Sequence, residues 1–246
     1  MSTSRRVFLR LAATAATAAA AGSALGCAAS GGARRRLAMA IDVRKCLDVH
    51  GCRACVDACH EAHNVPAIPD RAHEVKWVWK EPFERALAVR EPATLPAALR
   101  GSEVLVLCNH CDNPPCTRVC PTGATWKRDD GVVAMDEHRC IGCRYCVAAC
   151  PYGSRSFNFV DPRPFVAHPT SDYPTRTKGV VEKCTFCEER LAVGRLPACV
   201  EACPAGAMVF GDLDERGSEI RKLLNERYSV RRRPELGTRP QVFYVI

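Results

Sequence analysis

Sixteen cysteines of this chain fall into four sets of four, with a spacing suited to a metal scaffold rather than to scattered core residues. The first set is Cys46, Cys52, Cys55 and Cys59. The second is Cys108, Cys111, Cys116 and Cys120, in the string CNHCDNPPCTRVCP. The third is Cys140, Cys143, Cys146 and Cys150, in CIGCRYCVAACP, and the fourth is Cys184, Cys187, Cys199 and Cys203. The third set follows Cys-x2-Cys-x2-Cys-x3-Cys-Pro without deviation, a run that fastens 4Fe–4S clusters. Its short steps let three thiolates wrap one iron–sulfur cube from a loop, with backbone N–H groups turned toward the sulfurs. The fourth cysteine lies one helical turn further on and points away, toward a second cube. The sets are therefore expected to work in pairs and to hold four 4Fe–4S clusters through all sixteen thiolates.

Cys120, Cys150 and Cys203 are each followed by proline, which has no N–H and suits a chain leaving a short helix. Cys59 is followed by His60 instead. The first set also has five residues, Leu47 to Gly51, between its first two cysteines. Cys46 is expected to ligate across this longer loop, with Asp48 or His50 as alternative ligands. Zinc would suit the fourth set alone, as two close pairs separated by eleven residues. It leaves the third thiolate of Cys-x2-Cys-x2-Cys surplus. A disulfide scaffold gives no reason for regular steps of two and three. Covalent haem needs Cys-x-x-Cys-His, and the nearest approach, Cys55 to Cys59 before His60, has one residue too many.

Bulk properties bound less. With 246 residues and 47% hydrophobic content the chain is long enough for one large domain or two small ones. A formal charge of +8 invites a nucleic-acid reading, but Arg5, Arg6, Arg10, Arg34, Arg35 and Arg36 all precede residue 37. Four thiolates and one cubane core together carry roughly −2, so four clusters add about −8 and turn the loaded protein acidic. No nucleic acid is expected as a partner.

Residues 4–10, Ser-Arg-Arg-Val-Phe-Leu-Arg, form a twin-arginine sequence ahead of an uncharged Ala/Thr-rich stretch from Leu11 to Gly26. That is an export address, and the stretch is too short and weakly apolar for a membrane span. Residues 1–36 are expected to be a signal peptide. The seventeenth cysteine, Cys27, follows Ala24-Leu25-Gly26 and is the candidate for a lipid anchor. A cysteine-rich chain threaded unfolded into an oxidising compartment would form disulfides. Export of the folded, cluster-loaded protein avoids that outcome.

The elements that must position the thiolates are short. Strands are expected at 37–43, 104–107, 132–135, 156–160, 207–210 and 242–245, and in the alternating stretch 74–80, where Val75, Trp77 and Trp79 share a face. Helices are expected at 56–63 and at 218–228, the latter burying Ile220, Leu223 and Leu224. Residues 162–177, rich in Pro, Thr and Ser, read as a surface loop. The fold class is α+β: two ferredoxin-like two-cluster units, one at 100–165 with the second and third sets, the other built from 37–99 and 166–246 with the first and fourth.

With these motifs the chain resembles the four-cluster ferredoxin-like subunits of polysulfide, dimethyl sulfoxide, formate and related membrane-bound oxidoreductases. In nitrate-reductase relatives a tryptophan replaces one cysteine of the third motif and leaves a three-iron cluster; Cys143 is retained here. The strings HEVKWVWKEPFERA at 73–86, CNHCDNPPC, RSFNFVDPRPF at 155–165 and GVVEKCTFCEERL at 179–191 are similar to the DsrO branch, the periplasmic subunits of Dsr transmembrane complexes in dissimilatory sulfur metabolism. The resemblance implies shared cubes: Cys46, Cys52, Cys55 with Cys203; Cys184, Cys187, Cys199 with Cys59; Cys108, Cys111, Cys116 with Cys150; and Cys140, Cys143, Cys146 with Cys120. It implies an electron-transfer subunit without a catalytic site of its own, held to the periplasmic face of the membrane by partners. These are a multi-span quinone-interacting membrane subunit and a multihaem cytochrome c. The alternatives are service to a molybdopterin oxidoreductase such as polysulfide or thiosulfate reductase, or a cysteine-rich zinc-binding interaction module. Arg53, Arg118, Arg139, Arg144 and Lys183 adjoin ligands in sequence and are candidates for raising cluster potentials. Trp77, Trp79, Trp126 and Phe157 are expected in the core or shielding clusters.

Overall fold

The segment Leu37–Asp42 carries no polar alternation because both of its faces are covered. Successive side chains of a strand point to opposite faces. Here Leu37, Met39 and Ile41 enter the main core, and Ala38 and Ala40 enter a smaller one with Ile220 and Val245. A computed structural model describes residues 35–89 and 91–246, so most of the expected leader, and Cys27, lie outside the described residues. Arg35 and Arg36, placed in the leader from sequence, adjoin this strand and contact Asp212 and Asp214.

In chain order the elements are β1 Leu37–Asp42, α1 Val43–Leu47, α2 Ala54–Ala62, β2 Val78–Pro82, α3 Phe83–Ala86, β3 Glu103–Leu107, α4 Pro115–Arg118, β4 Thr125–Lys127, β5 Val133–Met135 and α5 Tyr145–Ala149. They continue with β6 Ser156–Phe157, β7 Val181–Glu182, α6 Glu188–Ala192, α7 Ala198–Glu201, β8 Met208–Asp212, α8 Glu219–Glu226, β9 Ser229–Val230 and β10 Val242–Val245. β1 lies inside a sheet of order β8-β1-β10-β9, antiparallel to β8 and parallel to β10. α8 is amphipathic. It starts where the Ser218 side chain accepts from Arg221 N, and it presses fully buried Ile220 onto the alanine face of β1.

Three further ribbons are two-stranded. β4 and β5 pair within 100–165, whereas β2 with β3 and β6 with β7 join that stretch to the flanking ones. Arg35–Ile246 is thus one compact unit in which the two expected halves are stitched by two ribbons. The α+β class with short elements is as expected. No helix among the described residues is long and apolar enough to cross a membrane.

Departures from the expected elements have local causes. The strand expected from residue 74 begins only at Val78, although Val75 and Trp77 are buried; Trp77 Nε1 donates to Glu182 Oε2 at 2.7 Å, which draws the ring inward. The strand expected at 156–160 stops at Phe157, where Asn158 Nδ2 turns to Glu182 Oε1 at 2.6 Å. Trp126 is 40% exposed and belongs to none of the buried apolar clusters, contrary to the core place expected for it. The 162–177 loop is not wholly at the surface: Arg176 is buried, its Nε and Nη2 2.8 Å from Glu182 Oε2, and it also donates to the carbonyls of His63 and Asn64.

Candidate metal centres

In each set the second cysteine lies in a loop and is preceded by a left-handed residue. These are Gly51 (φ 69°), His110 (φ 40°), Gly142 (φ 71°) and Phe186 (φ 58°). Such a turn curls successive N–H groups toward one centre and makes a concavity for an anionic group. Left-handed backbone costs a non-glycine residue about 1–2 kcal/mol, yet His110 and Phe186 adopt it and stack on one another, ring centroids 3.6 Å apart. Gly142 cannot be replaced in this way. A Cβ there would lie 2.4 Å from Gly179 O.

Further on, a short helix carries the third cysteine of each set, and in the last three sets the fourth lies one or two residues past its end. Cys55 and Cys59 sit on α2, four residues apart and so about 6 Å along the axis. That separation hands them to different sites. Cys55, with Cys46 from α1 and Cys52, lines a cavity completed by Cys203, closed by Ile41, Leu105 and Met208 and edged by Lys80. Cys46 is thus in place, while Asp48 and His50 are exposed. Cys59 lines a second cavity with Cys184, Cys187 and Cys199, walled by Met39, Trp77, Leu107 and Phe186. Thiols from stretches more than a hundred residues apart meet at both places.

The second and third sets meet in the 100–165 stretch. Burial pushes Cys111 up to about 12, and its neighbours Cys108, Cys116 and Cys150 push the same way. Cys150 is raised by burial and then by Cys108 and Cys116. Cys146 packs with Cys116, and Cys120 and Cys140 close the same small apolar cluster. Cys143, in the same loop as Cys140, is exposed, as are Ile141 and Tyr145 beside it.

The four groupings adjoin in a row. Cys55 lies near Cys59 and Cys199 and pushes both up, as Cys108 does its neighbour Cys184 and Cys116 its neighbour Cys146. Burial pushes Cys55 up to about 11, and it drives Cys59 and Cys184 well above the ordinary thiol range. Fully buried thiols crowded in fours become thiolates only around a cationic core. Donors await it: Ala207 N donates to Cys203 Sγ at 3.3 Å and Ala198 N to Cys187 Sγ at 3.4 Å. Thr185 Oγ1, in the wall of the second cavity, and Asn109 Nδ2, between Cys108 and Cys111, are buried with no partner among the described residues. The donor set, the turned N–H groups and these orphaned donors fit iron–sulfur cubes, whose sulfides accept hydrogen bonds.

The surroundings of the ligands match the sequence expectation only in part. Arg53, Arg118, Arg139 and Arg144 are exposed; Arg53 pairs with Asp57 and Arg139 with Asp136. Of the five cations named from sequence only Lys183 is buried, its Nζ donating to Val133 O and to Cys184 O. Sequence reasoning misses His63. Its Nδ1 donates to Cys59 O at 2.8 Å and its Nε2 lies 3.1 Å from Glu189 Oε1. Burial works against its charge, but hydrogen bonds with Cys187 and Glu189 push it up to about 9. It also misses Arg155, which opens the string RSFNF; nothing in the spacing of that string marks a charge turned inward.

A family model for a 4Fe-4S dicluster domain matches residues 104–161 and 169–213. The "Hdr-like menaquinol oxidoreductase iron-sulfur subunit 1" of Archaeoglobus fulgidus is 43% identical over 231 residues, covering 86% of this chain and 83% of that protein. The B subunit of tetrathionate reductase from Salmonella typhimurium is 38% identical over 218 residues, 87% of this chain and 74% of its own. The menaquinone reductase iron-sulfur cluster-binding subunit of Nitratidesulfovibrio vulgaris is 36% identical over 234 residues, 84% and 87%.

Proposed function

Because the chain belongs to the iron–sulfur electron-transfer subunits of oxidoreductase complexes and carries four 4Fe–4S clusters rather than a catalytic site, we propose that it is the wire of a quinone-linked membrane complex of the Dsr type in dissimilatory sulfur metabolism. The observation that carries this reading is the meeting of Cys203 with the first set and of Cys59 with the fourth, in two adjoining cavities. The sixteen cysteines Cys46 to Cys203 hold the clusters in the four groupings above. Their order is Cys46/52/55/203, then Cys59/184/187/199, then Cys108/111/116/150, then Cys120/140/143/146. When bound, the clusters supply reversible one-electron chemistry with little rearrangement of ligands. The protein's own work is to fix the thiolates, keep water out with Trp77, Leu107 and Phe186, and tune each site with nearby donors and charges.

The partners in this reading are a multi-span quinone-reactive subunit and a multihaem cytochrome c, on the periplasmic side reached by twin-arginine export. The names of the relatives bear on it in two ways. Two name menaquinol or menaquinone, which supports the quinone link. One names tetrathionate reductase, which favours the second reading, the electron-transfer subunit of a molybdopterin reductase. The complex purified from native membranes under anaerobic conditions separates them. The Dsr reading predicts c-type haem, no molybdenum, and clusters that change redox state when a quinol is added. Stoichiometric molybdenum would establish the second reading, and clusters indifferent to quinol would defeat both.

A further inference from the structure

Between Cys116 and Cys146 the protein buries a guanidinium that no carboxylate neutralises among the described residues. Arg155 is 4% exposed. Its Nη2 donates to Cys116 Sγ at 3.0 Å and to Thr125 Oγ1 at 2.8 Å, and its Nη1 lies 3.7 Å from Met135 Sδ. Arg176, equally buried, has Glu182 against it at 2.8 Å; Arg155 has sulfur. An unpaired buried charge costs several kcal/mol or more, so such a residue persists where an anion faces it. The anions available are the thiolates of Cys108, Cys116 and Cys146, which favour the charged guanidinium against the effect of burial. Cys116 and Cys146 belong to different groupings, so one cation serves two.

We infer that Arg155 is a positioning residue shared by two clusters: its fixed charge, aimed at Cys116 Sγ and set against Cys146, raises the reduction potentials of the Cys108/111/116/150 and Cys120/140/143/146 clusters together. This rests on the proposed assignment of those cysteines. Reduction adds one negative charge to a cube, and a cation alongside stabilises the reduced form more than the oxidised form. A hydrogen bond to a ligand sulfur acts in the same direction. Burial keeps salt from screening the effect, in contrast to exposed Arg118, Arg139 and Arg144. At the far end of the row the cation edging the site is Lys80, which is only half-buried.

The test is redox-poised EPR on the full cluster-loaded chain, with iron per chain measured first, for Arg155→Met, Arg155→Gln and Arg155→Lys. In the Met and Gln variants the ratio of reduced to oxidised cluster at fixed poise falls at least tenfold, about 59 mV for one electron, for two clusters only. The other two stay within threefold, and Arg155→Lys keeps all four within threefold. Full iron with all four potentials unmoved in the Met and Gln variants would overturn the inference, and so would an equal fall at all four clusters. If Met and Gln fail to retain iron, Arg155→Lys decides: unchanged potentials support the charge, and a tenfold fall refutes it. A wild-type chain without iron would instead defeat the cluster assignment itself.

Discussion

The Cys59/184/187/199 site and the Cys120/140/143/146 site use the same kind of ligand in opposite surroundings. At the first, Cys59, Cys184 and Cys199 belong to the main hydrophobic core, beside Trp77 and Phe186. At the second, only Cys146 is buried, in a cluster of a few residues, and Cys143 is exposed with Ile141 67% and Tyr145 65% open to solvent. Ligand spacing therefore settles what is bound, and the packing around it settles how far binding and folding are the same event. The first site is a keystone of the fold. The second is an outpost at the edge of the fold, and its loss is expected to spare the rest of the chain.

The largest expected effect separates the two directly. Cys184→Ser removes a ligand and leaves an unpaired hydroxyl in the main core; loss of a metal site coupled to folding is worth on the order of 10 kcal/mol. Little soluble, folded protein is expected. Cys143→Ser should give folded protein with melting temperature nearly unchanged and iron reduced to between about twelve and fifteen per chain, against about sixteen in the wild type. Equal behaviour of the two variants would break the comparison.

Next in size, Arg176→Met strands the Glu182 carboxylate beside Trp77 and Asn158, behind the buried site. Breaking such a pair costs about 3–5 kcal/mol, a fall of about 10 °C in melting temperature for a chain of this length. Arg176→Met with Glu182→Gln should recover part of it. A smaller contrast lies in the loops. Gly142→Ala meets Gly179 O and is expected to shed the outpost cluster. Gly51→Ala, with nothing within 4 Å of the added Cβ, should keep its iron and cost only the left-handed strain of about 1 kcal/mol. Smallest, Ser218→Ala removes the cap of α8, far from the ligands in the fold's second core; about 1 kcal/mol of stability should go, with all four EPR signals unmoved.

The sequence made the cysteine sets legible because part of their constraint is local: every set holds at least one pair of thiols with two residues between them. It also made β1, β10 and α8 legible, through apolar runs and a helical stripe that packing did not override. What stayed hidden depends on which distant backbone comes alongside. Glu182, Trp77 and Asn158 gave no sign in their own strings that they converge, and that convergence shortened two expected strands. Arg53 and Arg139 adjoin ligands in sequence yet face solvent, while Arg155, five residues beyond Cys150, reaches Cys116 across the fold. Adjacency along the chain brings the cysteines of a loop together and predicts electrostatic influence poorly.

Sharing of each cube between distant stretches is tested most directly by matching lost signals among single serine variants of the anaerobically purified chain. Cys203→Ser should abolish or alter the EPR signal that Cys52→Ser affects, and Cys120→Ser the one that Cys143→Ser affects. If Cys203→Ser left the Cys52→Ser signal intact, and Cys120→Ser the Cys143→Ser signal, each set would be holding its own cluster and the crossed pairing would be wrong.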